Sequence, residues 1–226
     1  TAAYLKRIWP EMLIAGSLES SKILLRKKSA LSQIKALNEG ALEVLRSWGV
    51  SEIYEGKFEP FTLDVVLEDG KKMEIEKDLT IEVIATPGHT WDSTAYYIRE
   101  KKILVAGEAA GCDGVCEFLV DHEAYVTSME LLSGLDVEIL STAHNFVFTG
   151  PDVKTNMVRT IRQVGEYVDR VKGYLKEEKG DLDRVAARIK STEWDPKPLP
   201  KQPLEAYMMS TKTRIKTIRK HMENTA

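Results

Sequence analysis

Read from the N-terminus, the apolar residues change their spacing twice. Residues 12–15 form a short apolar run of strand character, and Gly16-Ser17 then opens a helix carrying Ile23, Leu24 and Leu25, with Ser17 as its N-cap. A second helix begins near Ser29: Ile34, Leu37, Ala41, Leu45 and Trp48 recur every three or four residues, and Gly49 stops it. Past Phe58 the period shortens toward two. Residues 63–67 and 72–76 predict two strands joined by a Glu68-Asp69-Gly70 hairpin turn. Leu79, Ile81, Val83 and Ala85 alternate with Thr80, Glu82 and Ile84, and residues 94–99 and 102–106 predict a hairpin about Glu100-Lys101. A helix over 121–133, with Asp121 as N-cap and Gly134 as its end, leads to a strand over 137–141. From Pro151 the spacing is helical again: Val153, Met157, Ile161, Val164, Val168, Val171 and Leu175 make one apolar stripe that needs a partner. A short helix over 181–190, an extended proline-rich linker over 194–203 and a last helix over 204–222 complete the pattern. Tyr4 and Trp9 read as core contacts. The order predicts an α/β layered domain in residues 1–150 with a helical extension, residues 151–226, packed on it.

Composition narrows the classes of function. The chain has 226 residues, 43% of them apolar, so it can bury a core. The net charge of −3 is spread along the chain, which argues against nucleic acid, whose phosphates need a concentrated basic face. No apolar run approaches the length of a membrane span, and no signal-peptide pattern opens the sequence. Cys112 and Cys116 are too few for a disulfide framework and read as reduced loop thiols, so a cytoplasmic setting is expected. The sequence begins at Thr1 without Met and runs straight into an amphipathic turn or two of helix stopped by Pro10, which reads as the middle of something longer.

Chemistry concentrates at three places. His89 lies in Thr86-Pro87-Gly88-His89-Thr90, just past a predicted strand; Glu108 lies in Val105-Ala106-Gly107-Glu108-Ala109, past another; His144 lies in Ser141-Thr142-Ala143-His144, past a third. Strand exits are where a sheet fixes the direction of a side chain, and imidazole with carboxylate suits zinc, iron or manganese. Gly88 and Gly107 permit sharp turns and a close backbone approach.

The order Thr-Pro-Gly-His-Thr, Val-Ala-Gly-Glu-Ala, Ser-Thr-Ala-His, closing at Thr149-Gly150, resembles the metallo-β-lactamase superfamily over residues 1–150. The resemblance implies an αββα sandwich, here incomplete at its N-terminus, with a one- or two-metal site at one edge. It implies that His89 binds the first metal, that the carboxylate at position 108 bridges both, and that His144 binds the second, zinc being the first expectation. Such enzymes activate water to cleave an ester, thioester, amide or phosphoester. Two departures stand out. The superfamily's His-x-His-x-Asp-His motif is absent, and the chain reads as starting just downstream of it; Glu108 stands where the family has Asp, one methylene longer.

The expected function is therefore a metal-dependent hydrolase of a small-molecule substrate, a thioester or other small acyl compound by analogy, selected by the 109–120 loop and the helices after Pro151. The alternative is a non-catalytic scaffold or subunit with a degenerate or incomplete metal site. Other residues have plainer readings. His122 and His221 are expected to face solvent, Asp92-Ser93 to line the site or equally to serve a turn, and Lys212, Arg214, Lys216, Arg219 and Lys220 to form a solvated helix face. The stripe after Pro151 reads as core packing, with homodimerisation the other use for it.

Overall fold

A computed structural model describes residues 2–25, 29–51, 59, 61–111, 117–144, 146–198 and 201–224. Cys112 and Cys116 lie outside them. The chain divides into two compact units, Thr1–Glu68 and Asp69–Ala226.

The first unit holds helices α1 (Ala2–Ile8), α2 (Leu18–Leu25) and α3 (Ser29–Ser47) and a two-stranded parallel sheet, β1 (Ala15–Ser17) with β2 (Val65–Leu67). Ser17 caps α2 as its side chain suggests, its Oγ accepting the Ser20 N–H at 3.1 Å. Asp64 accepts the Ile14 N–H at 2.8 Å and pairs with Lys6 at 3.1 Å, which fixes the approach to β2. Three expectations need correction. The strand sits at Ala15–Ser17 rather than 12–15. Tyr4 and Trp9 are exposed rather than buried. The hairpin expected about residues 68–70 does not form, because β2 pairs with β1. The turn residues bond elsewhere: Asp69 Oδ1 accepts the Ala85 N–H at 2.7 Å, and the Gly70 N–H donates to Val83 O at 2.8 Å.

The second unit is built on a six-stranded mixed sheet in the order β3 (Lys72–Glu76), β4 (Leu79–Ala85), β5 (Thr94–Ile98), β6 (Ile103–Gly107), β7 (Ile139–Thr142), β8 (Val147–Thr149). All neighbours are antiparallel except β6 and β7, which are parallel and linked through α4 (His122–Ser133). Two successive antiparallel pairings, β4 with β5 and β5 with β6, make β4 run the same way as β6, and β7 follows β6. The C-terminal ends of β4, β6 and β7 therefore share one edge of the sheet. Along β5 and β6 burial alternates residue by residue, as a strand with one face against a core requires. Ile84, Ala95, Tyr97, Leu104, Ala106 and Leu140 from the strands join Tyr125, Met129 and Leu132 of α4 in one core.

Helix α5 (Pro151–Glu177) buries Val153, Met157, Val164, Val168, Val171 and Leu175 of the stripe read from the sequence in that same core, with Ile161 partly buried against it and proline at its first turn. It packs on α4 and β8 and is followed by α6 (Leu182–Glu193) and α7 (Leu204–Asn224). Between those helices the described part of the linker is ordered around Trp194, whose indole N–H donates to Gln202 O at 2.9 Å beneath the Lys201 ammonium. Among the described residues no helix is long and apolar enough to cross a membrane.

Candidate metal centre

At the exit of β4 the chain is held from several sides. Thr86 N–H donates to Ser93 O at 2.9 Å, and Ser93 Oγ accepts the Thr90 N–H at 3.1 Å, so Ser93 does serve a turn. Pro87 O accepts the Ser128 hydroxyl of α4 at 2.9 Å. Gly88 has φ +134°, and a Cβ there would lie 2.4 Å from Tyr125 Cα, so only glycine fits. Its carbonyl accepts the N–H groups of Leu119, Val120 and Asp121 at 3.1–3.2 Å. His89 is thus presented from a backbone clamped to the start of α4, which Asp121 caps through Glu123 and Ala124 N–H, both at 3.0 Å.

The His89 ring is oriented at both nitrogens. Nδ1 faces the Glu117 carbonyl, an acceptor only, so Nδ1 carries the hydrogen and Nε2 is left to face the site. Nε2 lies 2.5 Å from Glu108 Oε2. Metal-binding imidazoles are commonly oriented in this way, by a carbonyl on the far nitrogen.

At the exit of β6, Gly107 adopts φ +54°, ψ −131°, a region essentially restricted to glycine, and turns Glu108 out of the sheet into a short 3-10 turn, Glu108–Ala110. Tyr125 of α4 donates its hydroxyl to Glu108 O at 3.0 Å. At the exit of β7, Ala143 N–H donates to Gly107 O at 2.9 Å, tying the two exits together. His144 then sits at φ +59°, and its Nε2 lies 3.1 Å from Glu108 Oε1.

The three residues singled out in the sequence therefore meet, each imidazole at a different oxygen of one carboxylate. Their surroundings differ: the His89 side chain is 14% exposed and that of His144 60%. Burial opposes charge on the His89 ring, but the Glu108 carboxylate and the Glu117 carbonyl outweigh it and hold its pKa above the ordinary value. The same bond to His89 holds the Glu108 pKa below the usual range against the opposing effect of burial, and His144 adds to the depression.

A fourth residue was not foreseen. Glu117 is buried, and a ligand atom from each of His89, Glu108 and Glu117 lies within 4.8 Å of the others. Nothing local marks it; it reaches the site because the segment before α4 folds back onto Gly88. His89, Glu108 and Glu117 converge here, with His144 at the far oxygen of Glu108, and imidazole with carboxylate fits zinc, iron or manganese. Glu108, though longer than Asp, reaches both rings because Gly107 redirects the backbone.

Two plainer readings are corrected. His122 is only 8% exposed, tucked under His221 with ring centroids 4.9 Å apart, and burial followed by that neighbour pushes its pKa down. Arg214 belongs to no solvated face: it is buried, its Nε donating to Phe118 O at 3.1 Å.

No family model matches the chain. It is 26% identical over 103 residues to the beta-lactamase-like protein 2 homolog of Caenorhabditis elegans, a match spanning 46% of this chain and 31% of that protein. Among solved structures it is similar to a metallo-β-lactamase family protein of Thermus thermophilus, with TM-score 0.59 and 16% identity over 94% of this chain and 67% of that one. It is also similar to an archaeal metallo-β-lactamase superfamily protein of Sulfolobus tokodaii, with TM-score 0.53 and 15% identity over 97% and 74%. The chain has the α/β fold of metallo-β-lactamase proteins, with a mixed sheet and a helical C-terminal region.

Proposed function

We propose that this chain belongs to the metallo-β-lactamase superfamily and carries part of the metal centre of a hydrolase, with His89, Glu108 and His144 as ligands of one or two zinc ions. The observation behind this reading is the Glu108 carboxylate, which offers one oxygen to His89 at 2.5 Å and the other to His144 at 3.1 Å. A cation held there would lower the pKa of a water molecule enough to supply hydroxide near neutral pH for attack on an ester, thioester or related bond.

The residues of the chain divide the work. The Nδ1–H of His89, engaged by Glu117 O, keeps Nε2 available as a ligand once its proton is displaced. Glu108 spans the two imidazoles, and the buried Glu117 adjoins them, so the site concentrates negative charge that favours a cation. His144 stands on the open side. Trp91 and Phe146, each two residues beyond an imidazole, are exposed, and Phe146 stacks on Phe148 at 6.4 Å. They offer apolar surface to the non-reacting part of a small acyl substrate in a cytoplasmic setting. Iron or manganese would suit the same donors.

The test is metal content and hydrolysis measured together on the full-length natural product. The expected outcome is zinc, iron or manganese retained through gel filtration and turnover of some member of an ester and thioester panel. Glu108→Ala should lose both, and Glu108→Asp should retain metal. Failure of the unaltered protein to take up any of these metals would overturn the reading. Metal retained without hydrolysis would favour a non-catalytic subunit, the reading that the absent His-x-His-x-Asp-His motif and Glu108 support.

A further inference from the structure

A second group of metal-binding side chains lies where α4 begins and α7 ends. His122, Glu123 and His221 each bring a ligand atom within 4.8 Å of the other two. His221 Nε2 lies 3.2 Å from Glu123 Oε1, and the His122 and His221 rings meet edge to face at 4.9 Å. This group shares no residue with the first site, so it stands or falls separately from the hydrolase reading.

The placement follows from sequence and packing. Arg214, Thr217 and His221 are spaced by three and four, so they share one face of α7. Arg214 Nε donates to Phe118 O at 3.1 Å, and Thr217 Oγ1 donates to Leu119 O at 2.8 Å. Those two bonds dock that face on the segment leading into α4. The next residue of the face, His221, is thereby set against the first turn of α4, where Asp121 caps the helix and where His122 and Glu123 follow. Ile215 and Ile218 are fully buried beside it, so the helix is not free to rotate away. The last turn of α7 favours a cation, and the Asp121 and Glu123 carboxylates offset the opposite partial charge at the start of α4.

From this geometry we infer that His122, Glu123 and His221 form a second binding site for a divalent transition metal, zinc by its chemistry, which joins α7 to the start of α4. Two imidazoles and one carboxylate are a zinc donor set, with the fourth position left to water. Zinc held about 2.0–2.1 Å from its ligands spaces them about 3.3–3.4 Å apart in a tetrahedron. The Glu123–His221 separation of 3.2 Å is already close to that edge. Glu123 is exposed and His221 partly so, which leaves a path for the ion, while His122 is buried. The ion would also hold residues 117–121, the segment whose carbonyls dock α7 and whose N–H groups dock Gly88.

The experiment titrates the full chain with zinc alone, following the imidazole nitrogens of all four histidines by long-range proton–nitrogen correlation. His122 and His221 should shift together, and amide exchange over the last turns of α7 should slow by about tenfold or more. His221→Gln and Glu123→Gln, both at accessible positions, should weaken that site more than about tenfold and abolish the protection of α7. Neither change should move the responses of His89 and His144. If excess zinc leaves His122 and His221 unmoved, or if His221→Gln binds as many zinc ions as tightly as the unaltered chain, the inference fails. A shift confined to His89 and His144 would support the first site and reject this one.

Discussion

His89 and His144 address opposite oxygens of the same carboxylate, yet the chain treats them differently. The His89 loop is fixed by the Gly88 carbonyl, the Ser128 hydroxyl, the Thr86–Ser93 bond and the ring's own bond to Glu117. His144 is tied one residue earlier, through Ala143, and its ring is mostly exposed. The physical lesson concerns preorganisation. A ligand held before the ion arrives loses little entropy on binding, whereas an exposed one must be ordered by the ion itself. The β4 exit therefore holds its imidazole in place, and the β7 exit leaves its own exposed.

The contrast between the two exits is tested most severely at Gly88. Gly88→Ala forces a left-handed φ and a 2.4 Å approach to the α4 backbone. It should cost about 3 kcal/mol or more and remove His89 from the site, measurable by denaturant unfolding and by loss of metal. Parent-like stability would show that the clamp is not what anchors the loop. A less drastic test replaces each imidazole. His89→Ala should weaken metal binding by about 100-fold or more, and His144→Ala by roughly tenfold less than that, in competition with a chelator. Equal losses would erase the distinction between the two exits.

The smallest effect is one of pH on the chelated protein. Glu108 has its pKa lowered in the fold, so its contribution is present above the ordinary carboxylate value and is lost as pH falls through the lower folded value. His89 has its pKa raised, so its contribution is present below the ordinary imidazole value and is lost as pH rises through the higher folded one. The thermal midpoint should therefore be highest between those limits and fall on either side, by about 2–4 °C for each kcal/mol lost. Adding zinc should lift the alkaline side most, since metal competes with the His89 proton. A flat profile for the chelated chain would mean that His89 and Glu108 are not coupled.

Much of the second unit was legible beforehand because its signals are local. The period of α5, the Asp121 cap, the hairpin about Glu100-Lys101 and the three strand-exit motifs each depend on residues a few positions apart. The short strand β8 had no such signal, and the parallel pairing of β1 with β2 had none either. Strand pairing joins distant segments, and the alternation within one strand does not name its neighbour.

The sequence by itself placed the candidate residues at predicted strand exits, because Thr-Pro-Gly-His, Gly-Glu and Ala-His each follow a stretch with strand patterning. Only the tertiary structure decided that those three exits coincide, that Glu117 joins them, and that His122 and Arg214 are buried rather than solvated. Exposure is not a property of a residue and its neighbours in the chain. It depends on what the rest of the fold lays over them, and here that cover is α7, which arrives about a hundred residues after the segment it seals.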